Sequence, residues 1–383
     1  MSGPVPVVLA GAHGHGRWHL DNLRRLAAAG RIRLVGVCDP VPVTRADLAG
    51  LGEPEQSTDL GELVRRTGAA VTVLVTPIHT HLDLARTALA AGSHVLLEKP
   101  PTATLAEYRL LRAEVARSGL ACQVGFQSLG SDAPEAARAL AASGAVGDIL
   151  GVGAAGAWVR TSAYYARAPW AGRRRMDGVD VVDGALTNPF AHAVATALAL
   201  AGAERSVAGG VELELFHAHE IDADDTSCLR LRAPGGYPVT VAVTLCARSR
   251  HDPYVSINGT RGRVRLYYTL DEVHLEIPGA GPRVSTHPRT DLLENLLDHL
   301  ADGTPLLVPL ERTEGFMTVL EAVRTAPDPR PIPATAQEVA TGPDGVGRVV
   351  TGVEGLVARS AYTGRLFSEL GVPWAASTTG ARR

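Results

Sequence analysis

With 383 residues and 45% hydrophobic content, the chain is long enough for two domains with buried cores. A net charge of −3 points to neither a polyanion binder nor an acidic tail, and 4% aromatic content argues against a single-strand nucleic-acid platform, which stacks bases on rings. Cys38, Cys122, Cys228 and Cys246 are far apart and form no CxxC pair, and the first residues show no basic leader or membrane-length apolar run, so a reduced, cytoplasmic protein with no membrane or nucleic-acid partner is expected.

Residues 5–9 are a short apolar run, the pattern of a buried parallel strand. It leads into Gly11, Ala12, His13, Gly14, His15 and Gly16. A helical pattern follows over 17–29, with Trp18, Leu20, Leu23 and Leu26 apolar, then a strand over 34–38 ending at Asp39 and Pro40. Strand, glycine turn, helix, strand and acid are the parts of a dinucleotide-binding βαβ unit. The turn brings backbone N–H groups and a helix N-terminus to the pyrophosphate. The acid accepts hydrogen bonds from the adenosine ribose and repels a 2′-phosphate. Asp39 therefore favours NAD over NADP, the nearest downstream arginine being Arg45. The middle position of G-x-G-x-x-G holds His13 instead of glycine. Either Gly14 permits a shifted turn, or His13 itself contacts phosphate. His13 and His15 also have the spacing of a metal pair, but with no third or fourth ligand evident they read as loop histidines and no metal is expected.

The alternation continues with a helix over 59–67, a strand over 71–75 ending at Thr76, Pro77 and His81, and a helix over 82–91. A strand over 94–97 runs into Glu98, Lys99, Pro100 and Pro101, followed by a helix over 105–117 and a strand over 121–125. Regular β/α alternation implies a doubly wound parallel sheet, with ligands at the carboxyl ends of its strands. The glycine turn, Asp39, Thr76-Pro77 and Lys99 all fall at such ends. Lys99 is the one lysine among 37 basic residues. A compact ammonium shifts its pKa on burial and can share a proton near neutral pH, which arginine cannot.

These residues resemble the glucose–fructose oxidoreductase / inositol dehydrogenase / MocA (Gfo/Idh/MocA) family. The likeness is carried by the glycine turn with His19 after it, Cys38-Asp39-Pro40, Thr76-Pro77 with His81, and Glu98-Lys99-Pro100. Gln123 to Phe126 matches the end of the family's nucleotide-binding domain. The resemblance implies an α/β protein, with an N-terminal Rossmann domain over 1–127 and a C-terminal α/β domain over 128–383. The second domain has a large, mostly antiparallel sheet and serves substrate binding and oligomerisation. It also implies NAD(P)-dependent chemistry at a sugar or cyclitol carbon, in homodimers or homotetramers. The implied cofactor set is Gly11, His13, Gly14, His15, Gly16, Asp39, Thr76, Pro77, His81, Glu98 and Lys99.

Beyond residue 128, a helix is expected over 133–143 and a strand over 152–160. A polar, aromatic and basic loop follows. Tyr164, Tyr165 and Trp170 could stack on a sugar face and Arg173 could clamp an anion, while Arg173, Arg174 and Arg175 also read as solvated surface charge. The segment 183–192 opens an apolar helix over 193–201. In the family such a segment carries an acid and a histidine four apart. Spacing puts His192 on the histidine and Asn188 where the acid usually stands, with Asp183 nearby. Asparagine can orient a hydroxyl but cannot take its proton. Strands over 212–216, 226–231, 238–246, 254–258, 264–268 and 273–277 fit one antiparallel sheet. The stretch 217–225, with His217, His219 and Asp225, reads as a strand connection and not as a metal cluster. Helices over 290–300 and 312–324, a stiff extended linker over 327–333, a last helix over 355–370 and a disordered tail after Trp374 complete the expectation.

The function read from this pattern is NAD-dependent oxidation of a secondary alcohol on a small-molecule sugar, cyclitol or related polyol. His192 would be the general base, Lys99 would stabilise the reacting oxygen and Asn188 would position the hydroxyl. Two alternatives stay open. One is a hydrolase or lyase that uses tightly held NAD for transient oxidation. The other is a non-catalytic ligand sensor, motivated by the departures at His13 and Asn188.

Overall fold

The computed structural model describes residues 3–376. They form two compact units: the chain up to Gly130 with Thr290–Thr313, and Ser131–Arg289 with the chain from Glu314 onward.

The first unit is built on six strands: β1 (Val5–Ala10), β2 (Ile32–Cys38), β3 (Glu55–Ser57), β4 (Val71–Leu74), β5 (His94–Leu97) and β6 (Cys122–Val124). They lie in the order β3-β2-β1-β4-β5-β6 and every pairing is parallel. The helices α1 (Gly16–Ala28), α2 (Leu60–Thr67), α3 (His81–Ala90) and α4 (Leu105–Ser118) make the crossovers. The central strands read as continuous apolar runs because Val7, Val8, Leu9, Val71, Val73 and Leu74 are buried on both faces. Strand order reverses between β1 and β4, which places a ligand crevice outside the carboxyl ends of those strands. Helix boundaries follow local chemistry. The Asp59 side chain caps α2, and Thr104 with Glu107 forms a capping box at α4.

The expected division at residue 127 is corrected in one respect: Thr290–Thr313 belongs with the first unit. The buried Gln123 side chain explains why. Its Nε2 donates to Leu292 O (2.7 Å) and Asn295 Oδ1 (2.9 Å), and its Oε1 accepts from Val308 N (2.9 Å). Tyr108 OH donates to Leu310 O (2.8 Å). Each is a buried polar group that this returning segment satisfies.

The second unit begins with α5 (Ala133–Ala142), β7 (Ile149–Val159), α6 (Ser162–Tyr165), the short pair β8 (Arg175–Met176) and β9 (Val179–Asp180), and α7 (Ala191–Ala201). β10 (Ala208–His217), β11 (Thr226–Arg232), β12 (Pro238–Thr244), β13 (Cys246–Gly259), β14 (Arg263–Tyr267), β15 (Glu272–Glu276), β16 (Arg283–Thr286) and β17 (Arg330–Pro331) follow. The nine-stranded sheet has the order β16-β15-β14-β13-β7-β12-β11-β10-β17. It is antiparallel except at β7–β12 and β10–β17, so it is mixed and mostly antiparallel. Two glycines on opposite faces of β7 let the covering elements approach. A Cβ on Gly153 would stand 1.8 Å from Ala361 O, and one on Gly156 would stand 2.3 Å from the Phe190 ring.

Three expectations change here. The proline-rich 327–333 is more than a linker, since Arg330 and Pro331 pair with Phe216 and His217. An unforeseen hairpin, β18 (Gln337–Gly342) with β19 (Gly345–Val350), precedes the last helix, which runs Val353–Thr363 and stops at Gly364 in the left-handed conformation. Of the tail, Ala375 is buried, and 377–383 lie outside the described residues. All four cysteines are free and buried. Among the described residues no helix is long and apolar enough to cross a membrane.

Candidate functional site

The turn after β1 is shaped by three glycines with different duties. Gly11 has φ +84°, and a Cβ there would lie 2.6 Å from Val75 O. A Cβ on Gly16 would lie 2.2 Å from Gly11 O, so α1 starts directly on the turn. Gly14 carries φ +57° with open space beside it. The turn is thus the shifted one, with Gly14 in the left-handed region. His13 Nε2 lies 3.1 Å from Val41 O, tying the turn to the loop after β2. α1 has no side-chain cap and no acid in its first turn, which leaves its N-terminus suited to an anion. Asp39 is locked beside it: Oδ2 accepts from Ala12 N (2.8 Å) and Oδ1 from Val41 N (2.9 Å). Arg45 is paired with Glu53.

At the end of β5, Glu98 is the hub. Its Oε1 accepts from His19 Nε2 (3.0 Å) and Gln127 Nε2 (3.1 Å), with His15 Nε2 at 3.6 Å, and its Oε2 accepts from the Lys99 amide (3.1 Å). Burial alone would raise its pKa, but hydrogen bonds and charge from His15 and His19 outweigh burial and hold the carboxyl well below the ordinary range. Direct cofactor contact, expected for Glu98 and His81, fits neither. Glu98 is 6% exposed and His81 1%, and both turn their polar atoms to the protein. His81 Nε2 faces Thr76 O (2.8 Å) and its Nδ1 faces Pro100 O (2.9 Å), joining the turn after β4 to the one after β5. Burial pushes the His81 imidazole down in pKa. Both residues brace the half-buried Lys99, Glu98 by accepting from its amide and His81 by facing the carbonyl of the next residue, Pro100. His15 stacks parallel on the exposed Trp18 at 5.8 Å. His15, His19 and Glu98 each bring one ligand-type atom within 4.8 Å of the others, a group that does not include His13.

In the second unit, α7 is buried at every residue except His192, which is half-buried. Asn188 precedes the helix by one turn, and its Nδ2 donates to Asp183 Oδ1 at 2.5 Å. Asp183 Oδ2 accepts from Gly172 N (2.7 Å) and Arg167 (3.2 Å), so one buried carboxylate fastens the 161–175 loop. The loop residues differ from expectation. Arg167, not singled out in the sequence, lies over Tyr164 at 3.7 Å and over Trp170 at 4.7 Å, and Arg160 also lies over Tyr164 at 4.6 Å. These cations occupy the ring faces offered to a sugar. Tyr165 has its hydroxyl buried. Arg174 bonds Asp328 and the carbonyls of Val323, Arg324 and Ala326, Arg175 bonds Asp180, and Arg173 is exposed with no such clamp among the described residues. The three-residue spacing from Tyr164 to Arg167 was the available signal for that contact. Gln127 gave none.

Residues 5–126 match the model of the oxidoreductase family with an NAD-binding Rossmann fold, and residues 135–265 match that of the GFO/IDH/MocA C-terminal domain. Among curated proteins, the chain is 32% identical over 127 residues to a scyllo-inositol 2-dehydrogenase (NAD(+)) of Bacillus subtilis, covering 33% of this chain and 36% of the relative. It is 29% identical over 120 residues to a 4-carboxy-2-hydroxymuconate-6-semialdehyde dehydrogenase of Sphingobium, covering 31% and 37%. The chain therefore spans just over a third of the length of these relatives. Among solved structures, the WlbA dehydrogenase of Bordetella pertussis in complex with NADH and UDP-GlcNAcA is similar, with a TM-score of 0.68 at 22% identity over 84% of this chain and 95% of that one. A levoglucosan dehydrogenase in complex with NADH gives 0.69 at 18% identity over 86% and 100%.

Proposed function

The chain belongs to the Gfo/Idh/MocA oxidoreductase family, and from that premise we propose that it is an NAD-dependent dehydrogenase acting on a secondary alcohol of a sugar, cyclitol or related polyol. One observation carries the reading. The glycine turn, Asp39, Thr76 and Lys99 follow four adjacent strands, β1, β2, β4 and β5, of a single parallel sheet. The uncapped start of α1, the open space at Gly14 and the fixed Asp39 carboxylate fit the pyrophosphate and ribose of a dinucleotide. An acid at Asp39 favours NAD over NADP. Bound NAD supplies the hydride acceptor.

The chain's own residues handle the proton and the oxygen. In this reading His192 takes the hydroxyl proton as the carbon loses its hydride. Lys99 hydrogen-bonds the reacting oxygen and offsets its developing negative charge. Asn188, held by Asp183, orients the hydroxyl. The scyllo-inositol 2-dehydrogenase among the relatives supports a cyclitol or sugar as the substrate class.

The test is titration of the purified protein with NAD and NADP, after denaturing a sample to look for released nucleotide, followed by a polyol panel read by NADH formation. Preferential NAD binding to an empty site and turnover of a polyol support the reading. Retained nucleotide without net NADH release moves the assignment to an internal redox cycle, and binding of neither nucleotide overturns it.

A further inference from the structure

The connection from β10 to β11 brings two distant parts of the second unit together. Residues 218–225 fold back so that Asp225 Oδ2 accepts from the backbone amides of Ala218 (2.8 Å) and His219 (2.9 Å) and from His219 Nδ1 (3.0 Å). Cys246, the first residue of β13, places its Sγ 3.5 Å from the same Nδ1. One ligand-type atom from each of His219, Asp225 and Cys246 falls within 4.8 Å of the others. All three side chains are buried, Asp225 and Cys246 completely.

This pocket leaves polar atoms unanswered. His219 Nε2, Asp225 Oδ1 and the Tyr165 hydroxyl are buried with no hydrogen-bond partner among the described residues. The Tyr165 ring sits 4.9 Å from that of His219. Buried polar atoms are normally paired, and the unanswered Asp225 oxygen and Tyr165 hydroxyl beside this cluster call for a missing partner. A thiol, an imidazole and a carboxylate converging there form a mixed S, N, O donor set, which suits a borderline-soft divalent ion of the zinc class. Tetrahedral ligands at zinc-type bond lengths stand roughly 3.3 to 3.8 Å apart, close to the separations here. The carriers are also fixed from behind. Two backbone amides orient the carboxylate, and Thr244 Oγ1 accepts from Cys246 N (3.0 Å) while pairing with Thr226 Oγ1 (2.9 Å).

We propose that His219, Asp225 and Cys246 bind one zinc-class divalent ion, with the Tyr165 hydroxyl as the neighbouring oxygen for a fourth position. Binding releases the Cys246 thiol proton to solvent, and His219 ligates through Nδ1 with its proton on Nε2. The ion gives Asp225 Oδ1 and the tyrosine oxygen a partner. It staples the β10–β11 connection and the start of β13 to the segment that carries Tyr165. The site is separate from the proposed hydride chemistry and stands or falls without it.

The experiment is cobalt(II) titration of the chelator-stripped full-length protein, with zinc as competitor. The expected result is one equivalent of cobalt with intense tetrahedral visible bands and a thiolate-to-metal charge-transfer band, both removed by zinc. A rise in melting temperature with zinc is expected alongside. Cys246→Ser, nearly isosteric, loses the charge-transfer band, and His219→Ala weakens binding about 100-fold or more. The wild-type titration needs no variant to fold. Absence of bound metal means that a water or a plain His219–Asp225 pair fills the pocket, and overturns the proposal. A cobalt spectrum with no thiolate band, or one unchanged in Cys246→Ser, overturns it too.

Discussion

The side-chain amide of Asn188 donates to the Asp183 carboxylate across 2.5 Å. Asparagine stands where the family resemblance led one to expect an acid, and an acid stands directly behind it. Asn188→Asp, which installs the usual residue, would set two carboxylates at that separation. They cannot both ionise there and must share a proton. The shared proton raises a carboxyl pKa in the folded state, so the variant's stability is greatest in acid and falls as pH rises. We expect Asn188→Asp to be roughly 2 kcal/mol less stable than the native protein at pH 7 and to approach it near pH 4. Urea denaturation across that range measures this, and a pH-independent difference would contradict it.

The turn glycines separate a steric demand from a conformational one. At Gly16 a Cβ would collide with backbone at 2.2 Å, whereas at Gly14 there is open space and only the positive φ to bear. Gly16→Ala is expected to cost roughly 3 kcal/mol or more and to abolish dinucleotide binding, because the start of α1 must move off the turn. Gly14→Ala is expected to cost about 1 kcal/mol, with NAD affinity changed only a few-fold. Thermal melts and calorimetric NAD titration of the two variants check the order. Equal effects would mean that the shifted turn is misassigned.

The parts legible in the sequence were those whose cause is local. Buried parallel strands such as 7–9 and 71–74 read as apolar runs because both faces are covered. The glycine turn and Asp39 announce themselves by spacing. What stayed hidden depends on partners far along the chain. Glu55–Ser57 is a polar edge strand with no apolar signature, recognisable only through its pairing with Gly36 to Cys38. The return of Thr290–Thr313 to the first unit rests on the Gln123 amide, whose need for partners is visible in one residue type but not in their address. Direct cofactor contact was expected of His81 and Glu98 because they lie in the right motifs, yet burial makes them braces. Cys246 reads as a core cysteine until the 217–225 connection is folded against it.

Glu98 should dominate the acid limb of stability in the first unit. Its folded pKa is depressed, so the unfolded chain takes up the proton first as pH falls. The stability it contributes is present above the ordinary glutamate value of 4.5 and is lost as pH drops through the folded pKa. Glu98→Gln keeps a hydrogen-bonding shape beside His19 but removes the charge. At pH 7 it is expected to be about 1–3 kcal/mol less stable, the range for a buried charged hydrogen bond. Below pH 4.5 the gap should narrow as the unfolded chain takes up the proton, and it closes once pH has fallen through the depressed folded pKa, where the native side chain is neutralised as well. Denaturation midpoints from pH 3 to 7 test this. A gap that persists undiminished into acid would show that packing, not charge, is what Glu98 provides.

Lys99 carries the sharpest functional prediction. It follows the braced Glu98, its amide donates to that carboxylate at 3.1 Å, and the chain has no other lysine to substitute for it. Lys99→Arg retains positive charge but replaces a compact ammonium by a broad planar fork that stays protonated. NAD affinity is expected to remain within a few-fold, because the glycine turn and Asp39 are untouched. Turnover should fall by about 100-fold or more, the scale of a lost acid–base or oxyanion contact. Lys99→Met, without charge, should fall at least as far. Steady-state kinetics on the best polyol of the panel, together with NAD titration of the same preparations, separates the two effects. Native turnover in Lys99→Arg would remove this residue from the chemistry, while a parallel loss of NAD binding would reassign it to holding the cofactor.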